Sequence, residues 1–369
     1  MRFLARLLIA VCCAGLTARA AEADKHGSLV IVGGALRYAQ TDVWKAIVEL
    51  AGGSGAKIAV FPTASSDPLK NGSRSVNALN EAGADAFLLP LWFERSDRDA
   101  TPVDIQQAVA DPKLIEQVKA ARGVYFIGGS QARITSALGS SASVRTPMLE
   151  AIWDVYRRGG VVAGSSAGAA VMSRMMFREP PGVLKSLEDG LSLGKDLSPG
   201  LGFLDSGWFV DQHCLVRGRF ARDLVAMQTM SVTHGVGIDE NTAVVVREGR
   251  SMRVIGYKGA IVMDLSQATT DPMIQRFNLK NARLTYLDRG DALDLQTLEL
   301  TPSAEKKADQ FIDPSSPGFR PARDATLFAI DILGNLALPD LLGKLIDNKR
   351  PEAIGLAFDG AQARQGPTP

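Results

Sequence analysis

Residues 160–172 read GVVAGSSAGAAVM, and this stretch carries two structural instructions in succession. Val161, Val162 and Ala163 form an apolar run without polar alternation, the pattern of a strand covered on both faces. Ala167 to Met172 then supply small and apolar residues suited to the start of a helix. Between them Gly164-Ser165-Ser166-Ala167-Gly168 fits G-x-S-x-G, the turn that lifts its central serine out of a sharp strand-to-helix corner. A strand feeding directly into a helix is the repeating unit of a parallel α/β sheet. The same residues therefore set a fold expectation and offer Ser166 as a nucleophile. The competing reading is a small-residue turn suited to close strand–helix packing or to holding a phosphate.

Working outward, further apolar runs precede this one. Ser28–Val32 ends in Gly33-Gly34, and Lys57–Pro62 ends in Thr63-Ala64-Ser65-Ser66. Asp85–Leu91 and Gly123–Ile127 follow, the latter ending in Gly128-Gly129-Ser130-Gln131. Thr41–Ala51, Ser73–Ala82, Val103–Ala121 and Thr146–Arg158 lie between and have helical length and pattern. The alternation predicts an open, doubly wound, mostly parallel α/β sheet, in which ligands sit beyond the carboxyl ends of the strands. The second half reads differently. Val236–Val246, Met252–Met263 and Ala282–Leu287 are strand-like and punctuated by Gly-containing turns, which predicts an antiparallel addition that completes the sheet or forms a small lobe. Residues 302–323 read as a linker, Asp324–Ile346 as an amphipathic helix broken near Pro339, and the tail from Ala361 as frayed.

Residues 1–20, MRFLARLLIAVCCAGLTARA, have the layout of a secretory signal peptide: Arg2 and Arg6, an apolar run from Leu7 to Leu16, and a small-x-small site at Ala18-Arg19-Ala20. The run is too short to span a bilayer. Cleavage after Ala20 removes three arginines and no acid, so 41 Lys+Arg against 40 Asp+Glu becomes 38 against 40. A near-neutral chain without a basic run is a poor partner for nucleic acid or a membrane surface. Cleavage also removes Cys12 and Cys13 and leaves Cys214 alone, so neither an internal disulfide nor a Cys-rich zinc module is available. With only His26, His213 and His234 in the chain, a multi-His metal site is not expected either, nor an organic cofactor. The expected address is periplasmic or extracellular.

A serine nucleophile needs a base and a group to orient that base. His26 lies at the mature N-terminus, and His234 precedes Gly235 in a polar connection. His213 follows the strand-like Trp208-Phe209-Val210 within Asp211-Gln212-His213 and ranks above both. Asp239 and Glu240 offer adjacent carboxylates, which on a strand point to opposite faces. Glu240 shares its face with Ile238 and Thr242 and suits a partly buried orienting acid. The amide of Ala167 is one candidate oxyanion donor, and that of Gly129 is the second. Arg217, Arg219 and Arg222 follow His213 closely; on a helix Arg219 and Arg222 share a face, so a common role requires Arg217 in the turn before it. Arginine forks bind carboxylates bidentately, yet by spacing alone these three read equally as a solvated helix face.

Taken together, Gly164-Ser165-Ser166-Ala167-Gly168-Ala169, Asp211-Gln212-His213 with Arg217, Arg219 and Arg222, and Gly237-Ile238-Asp239-Glu240-Asn241-Thr242-Ala243 resemble the cyanophycinase family. Gly33-Gly34, Pro62-Thr63-Ala64-Ser65 and Gly128-Gly129-Ser130-Gln131 extend the resemblance over roughly residues 27–300. The serine element is shared with peptidase E, whereas the Asp-Gln-His element with its arginines is more specific. The resemblance implies a class I glutamine amidotransferase-like, flavodoxin-like sheet and hydrolysis of cyanophycin, a polyaspartate carrying arginine on each side-chain carboxyl, to β-Asp-Arg. It implies Ser166 as nucleophile, His213 as base and Glu240 as orienting acid. Gln131, Asp211, Gln212, Arg217, Arg219 and Arg222 would hold substrate, and the protein would form a homodimer. Residues 301–369 then read as an extension of a secreted form. In this chain Ser165 stands where the family commonly has Thr, Cys214 where it has an aromatic residue, and the GGSQ turn is one residue shorter than usual. The alternatives are a peptidase E-like enzyme for other aspartyl or isoaspartyl peptides, and a non-catalytic binder that keeps the cleft.

Overall fold

The computed structural model describes residues 27–93, 104–143, 145–204, 207–306 and 313–358. The leader expected over residues 1–20, His26 and the tail from Ala361 lie outside these residues. The first half alternates as its sequence predicts: β1 (Ser28–Val32), α1 (Thr41–Leu50), β2 (Lys57–Phe61), α2 (Pro68–Glu81), β3 (Asp85–Leu88), α3 (Ile105–Ala108), α4 (Pro112–Lys119), β4 (Gly123–Phe126), α5 (Gln131–Leu138), α6 (Pro147–Arg157), β5 (Val161–Ser165) and α7 (Ala167–Ala170).

Helix boundaries follow capping chemistry. The helix expected from Ser73 begins at Pro68, because Asp67 accepts the Lys70 N–H and proline is well suited to a first helical position. The single helix expected over Val103–Ala121 is two, because Asp111 caps a new start at Pro112, whose missing N–H cannot continue the earlier turn.

β1, β5, β4, β2 and β3 are parallel neighbours in that order. Alternate side chains enter separate cores. Leu29, Ile31, Val124, Phe126 and Val162 join residues of α4, α5 and α6, whereas Val30, Val32, Ile58, Val60 and Ala163 join residues of α1 and α2. This is why the strands lack polar alternation: both faces are covered.

After α7 come β6 (Met175–Phe177), α8 (Val183–Asp189), β7 (Leu197–Pro199), β8 (Trp208–Gln212), α9 (Phe220–Met230), β9 (His234–Ile238), β10 (Thr242–Arg247), β11 (Ser251–Gly256), β12 (Ala260–Asp264), β13 (Arg283–Leu287), β14 (Ala292–Asp294) and β15 (Leu300–Thr301). The run expected as one strand over Val236–Val246 divides at residues 239–241, where Asn241 takes φ 56°. The run over Met252–Met263 divides at residues 257–259. The two halves of each run join different sheets. β10 pairs antiparallel with β1, and β11, β14 and β15 follow, each antiparallel to its neighbour, making the sheet nine-stranded, while β8, β9, β12 and β13 build a second sheet of four. Both expected outcomes for the second half therefore occur, completion of the sheet and a smaller layer beside it.

The segment from Asp324 is not a continuous helix. It forms β16 (Leu327–Ala329), α10 (Ala337–Ile346) and β17 (Ala353–Gly355). Pro339 does not break α10, since it lies in the first turn, where no intrahelical acceptor requires its N–H. Leu338, with Ile332, Leu333 and Leu342, packs on the core formed by Phe177, Phe209, Phe220 and Met227. Among the described residues no helix is long and apolar enough to cross a membrane.

Candidate active site

Three turns meet at the carboxyl end of β5. Because β5 lies between β1 and β4, the residues that follow those strands flank Ser166 on either side. Ser166 takes φ 54° and ψ −109°, a conformation an L-residue holds only when its surroundings over-determine it. Its N–H donates to Val32 O at 3.0 Å, and its carbonyl accepts from Ala169 and Ala170. Gly168 permits the corner: a Cβ there would lie 2.3 Å from Phe126 O. The N–H of Ala167 opens α7 and has no acceptor within the helix. α7 is a single turn of four residues, so its macrodipole is small and individual N–H groups dominate the local field. In the β4 turn Gly128 is the residue that faces the serine, its Cβ direction 3.8 Å from Ser166 Oγ, while Gly129 is turned towards Ala64.

His213 leaves the end of β8 with φ 52° and is tied to the first strand's turn by its N–H to Gly33 O at 2.7 Å. The imidazole rests on Gly34, where a Cβ would lie 2.3 Å from Cε1. A side chain at position 34 would displace the ring, and one at position 33 would meet Asp239 O at 2.1 Å, so both positions of the turn are glycine. Nε2 lies 2.9 Å from Ser166 Oγ, and Nδ1 lies 2.6 Å from Glu240 Oε1. With Nδ1–H donating to the carboxylate, Nε2 is left as an acceptor facing the hydroxyl. Gln212 Oε1 is a further acceptor 3.4 Å from the same hydroxyl.

Glu240 reaches this position from a turn rather than from a strand, so the face argument that favoured it over Asp239 does not describe the backbone. Both carboxylates are used. Asp239 is fully buried and accepts the Val216 N–H at 3.1 Å and Lys258 Nζ at 2.8 Å. It thereby joins the turn after His213 to the β11–β12 connection. Lys258 stands in the turn between β11 and β12. Its ion pair spans 19 positions, and local spacing contains no signal for it.

The three arginines separate. Arg217 stands in the turn before α9, as a common role requires, with an exposed head 3.8 Å from Glu240 Oε1. Arg219 donates to Gln212 O at 2.8 Å and lies 3.6 Å from Asp211 Oδ1. Arg222 is buried, donates to Asp211 Oδ2 at 3.1 Å and lies over the Phe177 ring at 4.2 Å. Arg219 and Arg222 are not a solvated face. Asp211 and Arg222, expected in contact with substrate, are enclosed and paired with each other, because the end of β8 and the first turn of α9 face one another beside the core that holds Phe177 and Phe209. Gln131 donates to Phe177 O at 2.9 Å, which anchors the start of α5 to β6.

Burial lowers the His213 pKa from its ordinary 6.5, opposed by the Glu240 hydrogen bond and reinforced by Arg217 and Arg219. Burial and the neighbouring charge of Asp211 push the Asp223 carboxyl well above the usual range. Burial, then Asp223, does the same to the Cys214 thiol, so Cys214 is a packed, protonated group. His234 sits apart, 3.6 Å from Asp264 and stacked on Trp208.

A covered parallel sheet whose strand end carries a serine beside an imidazole and a carboxylate is the arrangement of an α/β serine hydrolase. Among the described residues no group of three or more His, Cys, Asp or Glu is spaced to hold a metal ion. The chain belongs to peptidase family S51, a family of serine peptidases, whose profile it matches over residues 29–254. Ser166, His213 and Glu240 all fall within that span. The chain is 30% identical over 286 residues to a cyanophycinase of Geminocystis herdmanii, covering 74% of this chain and 95% of that one. It is 28% identical over 302 residues to a cyanophycinase of Nostoc sp., covering 79% and 93%. A crystal structure of a peptidase from an acI-B1 actinobacterium shares the fold, with a TM-score of 0.53 and 21% identity over 74% of this chain and 98% of that one.

Proposed function

We propose that the protein is a secreted serine exopeptidase that hydrolyses cyanophycin to β-Asp-Arg dipeptides, with residues 27–300 as the catalytic portion and 301–369 as an extension. The observation that carries this reading is the serine–imidazole–carboxylate line, with its 2.9 and 2.6 Å contacts, in a chain whose relatives are cyanophycinases. Ser166 Oγ attacks the backbone carbonyl as His213 Nε2 takes its proton, and Glu240 stabilises the imidazolium. The Ala167 N–H and an amide of the Gly128-Gly129 turn receive the oxyanion. The imidazolium then protonates the leaving amine, and water releases the acyl-enzyme by the same steps in reverse roles. Gln131, Gln212, Arg217 and Arg219 border the cleft and hold substrate, while Asp211 and Arg222 act from beneath by fixing Arg219 and Gln212. The signal peptide over residues 1–20 and the homodimer implied by the resemblance belong to the same proposal.

One observation favours a second reading. Asp211, the one acid among the residues expected to hold substrate, is already enclosed by Arg219 and Arg222, as would suit a peptidase for aspartyl or isoaspartyl peptides without the arginine branch. Incubating the mature protein with purified cyanophycin and identifying products by mass spectrometry decides between them. Release of β-Asp-Arg is expected. Cleavage of aspartyl dipeptides alone transfers the assignment to the second reading, and hydrolysis of neither leaves a non-catalytic binder.

The lowered pKa of His213 fixes the sign of a pH effect. A base that stays neutral below pH 6.5 remains active there, so the acid limb of kcat/KM is expected to have its midpoint below 6.5. Arg217→Ala removes a positive charge that disfavours imidazolium, and the midpoint is expected to move upward. A downward move, or none, would contradict this electrostatic account of the ring.

A further inference from the structure

The family profile ends at residue 254, yet a segment far beyond it lies against the turn that follows His213. β16, α10 and β17 form a strand–helix–strand unit whose two strands pair in parallel. The connection from β16 to α10, residues 330–336, passes over Gly218. A Cβ on Gly218 would lie 2.5 Å from Leu333 O and 2.7 Å from Leu333 Cα. Gly218 itself takes φ 59°, and without a side chain it lets backbone lie directly on backbone.

The connection is tied internally. The Ile332 N–H donates to Leu356 O at 2.8 Å, the Leu333 N–H to Asp331 Oδ1 at 3.2 Å and the Gly334 N–H to Asp331 O at 3.2 Å. Leu338 is buried in the first turn of α10, and with Leu333 it joins the core that contains Cys214, Leu215 and Phe220. Those three residues bracket the arginine turn: Cys214 and Leu215 begin it, and Phe220 opens α9. Within the turn, the Arg217 N–H donates to His213 O at 3.2 Å and the Arg219 N–H to Cys214 O at 2.7 Å. Asp239 holds it at Val216, and Leu333 meets it at Gly218. The Arg217 head is exposed, so its place 3.8 Å from Glu240 is set by where the turn carries its Cα.

We propose that residues 332–338 of the extension are a brace for this turn, with Leu333 as a positioning residue for Arg217 and Arg219. The proposal rests on the reading of those two arginines as groups that hold substrate, and it gives the extension a part in the site. A charged side chain carried on a fixed backbone loses less freedom when it binds than one on a loose turn.

The test is a double-variant cycle read by NMR at the ring of His213, one of three histidines in the chain. Glu240 faces that ring at 2.6 Å, and Arg217 and Arg219 are the other charged groups acting on it. In Leu333→Ala the freed turn carries positive charge away, so the ring pKa is expected to rise, as in Arg217→Ala. With both substitutions the rise should be no larger than in Arg217→Ala alone, because the two act through one group. Phe328→Ser, on the exposed face of β16, should leave the titration unmoved. Leu333→Ala is also expected to raise KM for cyanophycin about fivefold with kcat unchanged, the pattern of lost uniform binding. An unmoved titration in Leu333→Ala, a shift that keeps its full size in the Arg217→Ala background, an equal shift in Phe328→Ser, or an unchanged KM in active enzyme overturns the brace. Gly218→Ala strikes the same contact from the other side and replaces Leu333→Ala in the cycle should that variant not fold. The titration does not depend on turnover: absent hydrolysis of cyanophycin by the wild-type protein refutes the proposed function alone, and the ring still decides the brace.

Discussion

Ser166→Ala is expected to lower kcat on cyanophycin by about 10⁶-fold, the scale on which a serine peptidase loses turnover when its nucleophile is removed. Among the described residues Oγ lies at hydrogen-bond distance from two side chains, the His213 ring at 2.9 Å and Gln212 Oε1 at 3.4 Å, so the loss is chemical and the melting temperature should hardly move. His213→Ala should cost a comparable factor, and the double variant should be no worse than either single one, because hydroxyl and imidazole act as a unit. Steady-state kinetics with circular dichroism as a folding control reads this directly. Activity within tenfold of wild type in Ser166→Ala, or a double variant worse by the product of the single effects, would remove the serine from the reaction.

The second large effect is on stability. Lys258→Met leaves Asp239 with no cationic partner in a site that excludes water, and breaking a buried pair from one side costs about 3–5 kcal/mol. Asp239 also accepts the Val216 N–H, so the turn that carries Arg217 and begins at His213 loosens with it, and kcat should fall alongside stability. Asp239→Asn in the Lys258→Met background removes the stranded charge and keeps an acceptor for Val216, and part of the loss is expected to return. Urea unfolding of the three variants measures this. A Lys258→Met protein within about 1 kcal/mol of wild type would show that the pair contributes no more than a surface ion pair does.

The parallel half of the fold was legible because its signals are local. Each strand is a short apolar run ending in small residues, and each turn displays its chemistry in adjacent letters. The serine elbow was legible for the same reason: Gly164 to Gly168 specify a corner whatever the rest of the molecule does. Helix starts depart from the apolar pattern where a cap lies several residues before it, as at Asp67, or inside it, as at Asp111. The apolar runs of the second half were too long because hydrophobic pattern marks burial and does not mark a change of sheet. Only the turn at residues 239–241 sends Ile238 and Thr242 into different layers.

His213 was singled out by scarcity among three histidines, and Glu240 by a strand that does not exist, so that its 2.6 Å contact with the ring comes from a turn. The fates of Asp211 and Arg222 were beyond local reading. An acid and an arginine eleven positions apart can face a substrate or each other, and helix spacing is silent on which. Letters in sequence dictate backbone preferences and burial, which act over a few residues: a strand, a corner, a serine at its tip. Which charges become partners depends on distances across packed layers, and these exist only once β8, α9 and the turns at Gly33, Val216 and Glu240 have been brought together by a core that none of them builds alone.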